Sequence, residues 1–457
     1  MSVPAAASAP AAPPPKESAG SRILAPEVWR TMVASTWEGC ATTVFMNWTS
    51  GIVLVGFMSY YGASPLQLAL IGCLPQVMQL AALLAAWLES YYPQYKNLTI
   101  FSCIVGRLMW ILPVLMTVLG IPKDQCAALI LAVVGIVAFF QGFAAPIWQA
   151  WMGSVIPESR RGHYFGIRNG ICGLVGVTAN LMAGRLLDSM EAPVNFQIVI
   201  FVAVLFAALG IYLYTLQHEH KRTVPKRVPL RQIISVPLSD PNFRKMLLFS
   251  MYWQPSVLIA SVFVYPYFYN YMKMNFTEIA LWSATAAVTS MLAGPQWGRL
   301  ADRVGNKGVL AITTTMAGFL PVVWMCATPG DPRFIYASGI VEGLAWSAIN
   351  PAIFNLSLAT APKDNRMPHL AVLSACIGMA GFAGGFLGGK LFGLFQHGEF
   401  NVLGYHWSAY HWVFVVGILL RSQAWWLLRR VHEEKSWRTK DVLRLVANVR
   451  LPGFPWR

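Results

Sequence analysis

The chain has 457 residues, of which 56% are hydrophobic and 12% charged, with a formal net charge of +15. A soluble chain carries about 25% charged residues, so the composition excludes an ordinary soluble enzyme and points to lipid as the surrounding medium. The basic excess alone would suit a polynucleotide, but its cations gather at the ends of apolar segments, which is the pattern of a membrane surface.

In chain order, residues 1–27 open on an Ala/Pro tract without the basic and apolar regions of a signal peptide, and read as a disordered tail. A membrane span needs about 20 apolar residues. Twelve segments qualify, near 34–59, 65–88, 98–119, 127–152, 164–186, 196–216, 246–271, 278–297, 308–328, 334–358, 370–394 and 407–428. The first six spans form a half over 28–216, and the last six a second half over 246–430. Between them, 217–245 is a basic linker with prolines at 225, 229, 237 and 241. In 431–457, Trp437, Val442, Leu443, Leu445, Val446 and Val449 recur at helical spacing among Arg438, Lys440, Arg444 and Arg450. That tail reads as an amphipathic helix on the cytoplasmic leaflet.

Charge sets the expected orientation. Of the 34 Lys and Arg, the odd-numbered loops and the span ends beside them hold only Lys123, Arg185, Lys273, Arg333 and Lys390, and the span interiors hold Arg107, Arg168 and Arg421. All the others lie in the tails and the even-numbered loops. By the positive-inside rule both termini are cytoplasmic, and the expected location is the cell membrane, with lipid as a partner. The seven cysteines are scattered, with no Cys-x-x-Cys pair, and read as small apolar span residues. Phosphate-binding loops, zinc-spaced ligands and nucleophile elbows are missing from the sequence. The expectation is therefore no enzyme, cofactor, metal or nucleic acid, and a monomer.

The most specific motif is Trp297-Gly298-Arg299-Leu300-Ala301-Asp302-Arg303-Val304-Gly305-Asn306-Lys307 between the eighth and ninth spans. It reads as a tight basic turn, with glycines for close backbone approach. Gly298, Asp302, Arg303, Gly305 and Lys307 resemble the cytoplasmic signature of the major facilitator superfamily. In that family it lies between the second and third helices and again between the eighth and ninth. The matching first-half loop, Leu88 to Lys96, keeps an acid and a Lys but has lost the glycines. Pro146 and Pro157 answer Pro351 and Pro362, and Arg161 answers Arg366. Trp37-Glu38-Gly39 resembles Trp253-Gln254-Pro255 at the start of the first and seventh spans. The resemblance implies an all-α membrane protein, twelve transmembrane helices in two pseudo-symmetric six-helix halves. It also implies a cytoplasmic latch, with Asp302 set near His163 and Tyr164 at the start of the fifth span or paired with Arg366.

Charges inside spans are expensive and usually face a cavity or a partner. In the family, spans one, four, seven and ten line the central cavity, which makes Glu38 and Glu342 the leading coupling candidates. A carboxylate in a dehydrated cavity takes up a proton more readily, and the same burial suits a structural salt bridge equally well. Arg107 reads as a coupling or pairing residue on the peripheral third span. Arg421 reads as snorkelling to the surface along its own helix, and Arg168 as doing the same or holding the neighbouring loop. Polar and aromatic groups gather on the four cavity spans, among them Asn47, Gln141, Trp148, Trp253, Gln254 and Asn350. They suit a small polar solute with apolar faces, such as a sugar. Gly170, Gly173 and Gly176 lack the proline of the family's exporter pattern. The expected function is secondary transport of such a solute by alternating access, with the proton as candidate coupling ion. Efflux of amphipathic compounds and a transporter-like sensor or accessory protein remain the alternatives.

Overall fold

The computed structural model describes residues 25–89, 91, 94–219, 229–360, 366–396, 398, 400–402 and 405–433. The first six long helices are α1 Pro26–Tyr60, α2 Pro65–Ala85, α3 Tyr95–Leu115, α4 Lys123–Val155, α5 Glu158–Ser189 and α6 Val194–Thr215. The next six are α7 Pro241–Tyr271, α8 Phe276–Val304, α9 Asn306–Met325, α10 Arg333–Thr360, α11 Arg366–Phe395 and α12 Ala409–Leu428. Among the described residues, 11 helices are long and apolar enough to cross a membrane. The twelfth is α10, whose 28 residues reach about 42 Å at 1.5 Å per residue. Its apolar run is diluted by Glu342, Asn350 and Asn355. A short helix, Leu230–Ser239, occupies the linker, and a two-stranded hairpin, Phe400–Val402 with Tyr405–Trp407, joins α11 to α12. The expected amphipathic helix after 431 lies outside the described residues.

The basic motif is not the turn that its composition suggests. Helix α8 continues through Arg299, Asp302 and Arg303 to Val304, and α9 starts at Asn306. The reversal falls on Gly305 alone, at φ +87°, a conformation only glycine adopts cheaply. Arg and Leu are good helix formers, so the motif extends the helix past the apolar run instead of ending it.

Two helices break, at related places. Helix α1 is interrupted at Thr49–Ser50, where both hydroxyls donate back to the carbonyls four residues earlier and Gly51 turns to φ +56°. Helix α7 loses regular winding after Ser261 and finishes as a π turn over Tyr267–Tyr271. Both breaks lie toward the end of the bundle away from the termini.

The packing divides the molecule along its length. At the end away from the termini, one apolar core runs unbroken through both halves, from Phe57 and Phe196 to Phe268, Trp324 and Phe414. At the terminus-bearing end each half has its own main core, and the second half adds two small clusters around Phe243 and Val304. Of the main cores, one holds Tyr95, Ile147, Trp151 and Tyr214 of the first half, and the other Phe249, Trp253, Leu310 and Leu428 of the second. Between them α5 and α8 stand apart. A Cβ added at Gly166 or Gly170 of α5, or at Gly294 or Gly298 of α8, would meet nothing within 4 Å. The bundle is therefore closed at one end and open at the end that carries the termini.

The closed end is held by two seams between the halves. Along α2 and α11, Gly385 lies against Cys73, and a Cβ at Gly389 would sit 2.9 Å from Leu66 and 3.0 Å from Ala69. Small residues here let the two helices approach closely. In the second seam, Asp188 at the end of α5 caps the N-terminus of α8. It accepts from the backbone N–H of Phe276 at 3.0 Å and of Thr277 at 2.8 Å, and from the Thr277 hydroxyl at 2.6 Å. A carboxylate at a helix N-terminus also meets the positive end of the helix dipole.

Candidate functional site

Glu38 is the hub of a charged cluster inside the first half. It is 1% exposed. Arg107 of α3 reaches its Oε1 at 3.5 Å and Arg168 of α5 its Oε2 at 3.4 Å. Thr42, one turn along α1, donates its hydroxyl to Glu38 and accepts from Arg107 Nη1 at 2.7 Å. Arg107 Nη2 donates to the Tyr214 hydroxyl of α6 at 3.5 Å. Arg168 Nε donates to the Ser35 carbonyl at 3.1 Å, and its guanidinium lies 4.6 Å over the Trp148 ring. Residues of α1, α3 and α5 therefore meet on one carboxylate, with Tyr214 of α6 and Trp148 of α4 holding the two arginines. The arrangement satisfies Glu38 in a place where an unpaired charge would be costly.

The cluster lines a cavity of about 230 Å³ whose walls include Met46, Phe140, Gln141 and Trp148. Beyond Met46 and Gln141, which both cavities share, lies a second cavity of about 360 Å³ at the helix breaks. Its walls come from both halves: Leu54 and Val55 of α1, Ile71 of α2 and Val137 of α4 face Leu258, Val262 and Tyr265 of α7. Together the two volumes fall in the roughly 300–1,000 Å³ range of ligand sites.

Glu342 is differently placed. Its Oε2 is buried without a hydrogen-bond partner. It lies near Tyr265, which lines the larger cavity, and Arg421 acts on it through space. Arg421 itself is 3% exposed and spends its guanidinium elsewhere. It donates to the carbonyls of Ser256 at 3.2 Å, Ala317 at 3.0 Å and Val257 at 2.9 Å, and to the Ser261 hydroxyl at 3.0 Å. The Ala317 carbonyl is free because Pro321, four residues on, has no N–H. Arg421 thus fills a gap in α9, and the expectation that it snorkels to the surface is wrong. Arg168 likewise turns inward to Glu38 and not to the neighbouring loop.

The other expected site residues separate into groups. Gln141 and Trp148 meet Glu38 and Arg107 in the first-half cavity. Asn47 lines a different opening of about 300 Å³ between α1, α5 and α8. Trp253 is 1% exposed and packs in the core of the second half with Met246 and Phe249, so it does not face the cavity. Gln254 packs beside Gly381 of α11, and Asn350 is exposed.

The latch residues are also divided. Asp302 and Arg303 are exposed, and no hydrogen bond or ion pair of Asp302 occurs among the described residues. The expected contact of Asp302 with His163 and Tyr164 is not made, because α5 and α8 stand apart at this end. Tyr164 donates to the Met32 carbonyl at 3.1 Å instead. Arg161 donates to the carbonyls of Gly153 and Ile156, closing the end of α4. Arg366 begins α11, and its side chain lies outside the described residues.

Lys307 works within its own half. Its ammonium donates to the carbonyls of Arg429 at 3.0 Å and Val431 at 2.7 Å, while Glu433 accepts from the backbone N–H of Asn306 and Lys307 at 3.0 and 2.8 Å. The first half repeats this clamp. Lys96 donates to the carbonyls of Thr215 and Gln217 at 2.7 and 2.8 Å, and Glu219 accepts from the backbone N–H of Tyr95 and Lys96. The loop that had lost its glycines has kept the Lys that ties α3 to the end of α6. Sequence reasoning missed Glu219, Glu433 and Asp188. Glu219 and Glu433 each stand a few residues past the last span of a half, and that shared position was the available signal.

A family model described as Major Facilitator Superfamily matches residues 39–274 and again 256–456. The staphyloferrin B transporter of Staphylococcus aureus is 30% identical over 128 residues, 27% of this chain and 30% of that protein. The fatty acid resistance protein FarB of Neisseria gonorrhoeae is 26% identical over 152 residues, 33% of this chain and 27% of that protein. The chain thus spans less than a third of the length of either curated relative. Among solved structures, the nucleoside transporter NupG superposes with a TM-score of 0.68 at 10% identity, over 89% of this chain and 100% of that one.

Proposed function

Because the chain belongs to the major facilitator superfamily, we propose that it is a secondary transporter working by alternating access. In this reading both termini are cytoplasmic, and the form described is open to the cytoplasm. The observation that carries it is the split core: continuous across the halves at one end and divided at the other, with cavities between. Rocking of one half on the other would part the α2–α11 and α5–α8 seams and bring Asp302 toward α5.

Glu342 is the better proton site of the two acids. Glu38 is held by two arginines, whereas a buried carboxylate oxygen of Glu342 has no partner. Uptake of a proton by Glu342 would remove a buried charge that Arg421 meets only through space, before the halves close over it. Glu38 is instead the partner of Arg107 and Arg168. Export of amphipathic compounds is a second reading, favoured by the apolar walls of the larger cavity.

The test is uptake and counterflow of a labelled solute panel in proteoliposomes, with and without a proton gradient. Solute movement blocked by Glu342→Gln only when a gradient must drive it supports the account. Solute binding without movement would make the protein a sensor instead.

A further inference from the structure

We propose that the solute is an organic anion on an apolar body. Its anionic head binds between Arg107 and Arg168, and its body extends into the larger cavity beyond Gln141. The proposal rests on the transport reading for what becomes of the solute, but the site stands on its own geometry.

The smaller cavity is lined by two cations and one anion, Arg107, Arg168 and Glu38. With all three ionised it carries one uncompensated positive charge inside a bundle where charge is costly. Its unused groups include several donors. The Trp148 indole N–H is buried without a partner. Among the described residues, Gln141 and Arg168 Nη1 carry no hydrogen bond, although both residues line the cavity. A carboxylate or sulfonate head would neutralise the charge and accept from these donors, and charge-assisted bonds of this kind are the strong ones.

The larger cavity argues against a sugar. No charged residue lines it among those described. Of its hydroxyls, Thr49 and Ser50 donate to the carbonyls of Phe45 and Met46, and Ser261 is bonded to Arg421. Apart from the Tyr265 hydroxyl, the Gln141 amide and the buried Trp110 indole N–H, what remains is an apolar surface formed by both halves, suited to a hydrocarbon body. Occupancy there would touch α1 and α7 at their breaks, so the solute would bear on both halves at once. Glu38 competes with the head for the two guanidiniums, and that competition gives the proposal a distinctive signature.

The experiment uses the full chain in nanodiscs of zwitterionic lipid, with empty nanodiscs as blank, and calorimetric binding of butanoate, hexanoate, octanoate, octanol and octylamine. Octanoate should bind at least about tenfold more tightly than octanol or octylamine. Affinity should rise about fourfold per methylene along the acids. Arg168→Gln should weaken octanoate at least about tenfold, and Glu38→Gln should tighten it, which a merely structural acid would not do. Equal binding of octanol, preference for octylamine, or unchanged octanoate affinity in both variants overturns the proposal. If Arg168→Gln does not fold, the head-group series and Glu38→Gln decide. Counterflow of labelled octanesulfonate, a permanent anion, separates the two readings. Binding of octanoate without octanesulfonate exchange upholds the anion site and removes transport. Exchange of a neutral solute with no anion bound upholds transport and removes the anion site.

Discussion

Replacing Asp188 by Ala should loosen the closed end of the bundle. Asp188 makes three hydrogen bonds across the α5–α8 seam, at 3.0, 2.8 and 2.6 Å, all to the first turn of α8. Bonds to a charged group contribute about 1.5–3 kcal/mol. The cluster is solvent-exposed, so the low end, about 1.5 kcal/mol for the set, is appropriate. These bonds exist only while this end is closed, so their loss moves the balance of the two forms about tenfold toward opening there. Cys73 reports that opening, because it is fully buried against Gly385 in the neighbouring α2–α11 seam. With the other native cysteines replaced, its modification by a small maleimide should be about tenfold faster in Asp188→Ala. Thr277→Ala, which removes one of the three bonds, should give a smaller increase. An unchanged rate in a variant with the parent's unfolding temperature would refute the claim that this cap holds the halves together.

Glu342→Gln should abolish gradient-driven accumulation and leave exchange down a gradient intact, because the amide mimics the protonated acid; loss of both activities would make Glu342 a solute-binding or structural residue. Lys96→Ala and Lys307→Ala should each lower the unfolding temperature by a similar amount, since they remove the same clamp from the two halves, and a large effect from only one would break the pseudo-symmetry of function. Arg421→Met should destabilise the second half by about 3–5 kcal/mol in denaturant melts, because it orphans the Ala317 carbonyl and leaves the nearby buried Glu342 without its compensating charge; a near-neutral result would mean that the carbonyls find other donors. Asp302→Asn should leave the unfolding temperature of the described form unchanged, because Asp302 is exposed there, and a marked loss would show a contact in this form.

Much of the fold could be read from the sequence, because a span announces itself as about 20 apolar residues whatever surrounds it. Where that signal failed, a specific physical cause is visible. Helix α8 outruns its apolar stretch because Arg299, Asp302 and Arg303 are compatible with helix and only Gly305 must turn. Hydropathy measures the distance of Arg421 from the surface but not the carbonyl that Pro321 leaves free. Glu38 was legible as a charge in a span. Its partners were not, since Arg107 and Arg168 reach it only once α1, α3 and α5 have packed. The residue types alone suggest a sugar, and the proposal of an anion rests on that pairing of two arginines around one acid. Trp253 and Asn350 share the composition of cavity residues, but the helical faces they occupy put one in a core and the other at the surface.

The central claim is that the halves rock as units about the cavity. Its most direct test is double electron–electron resonance between spin labels at Ile167 of α5 and Gln296 of α8, in a background without native cysteines. Both positions lie on the open end, where the two helices stand apart. A long-distance population should dominate without ligand, and a shorter one should grow when octanoate is added and when Asp188 is replaced by Ala. A single long distribution that neither change alters would contradict the account.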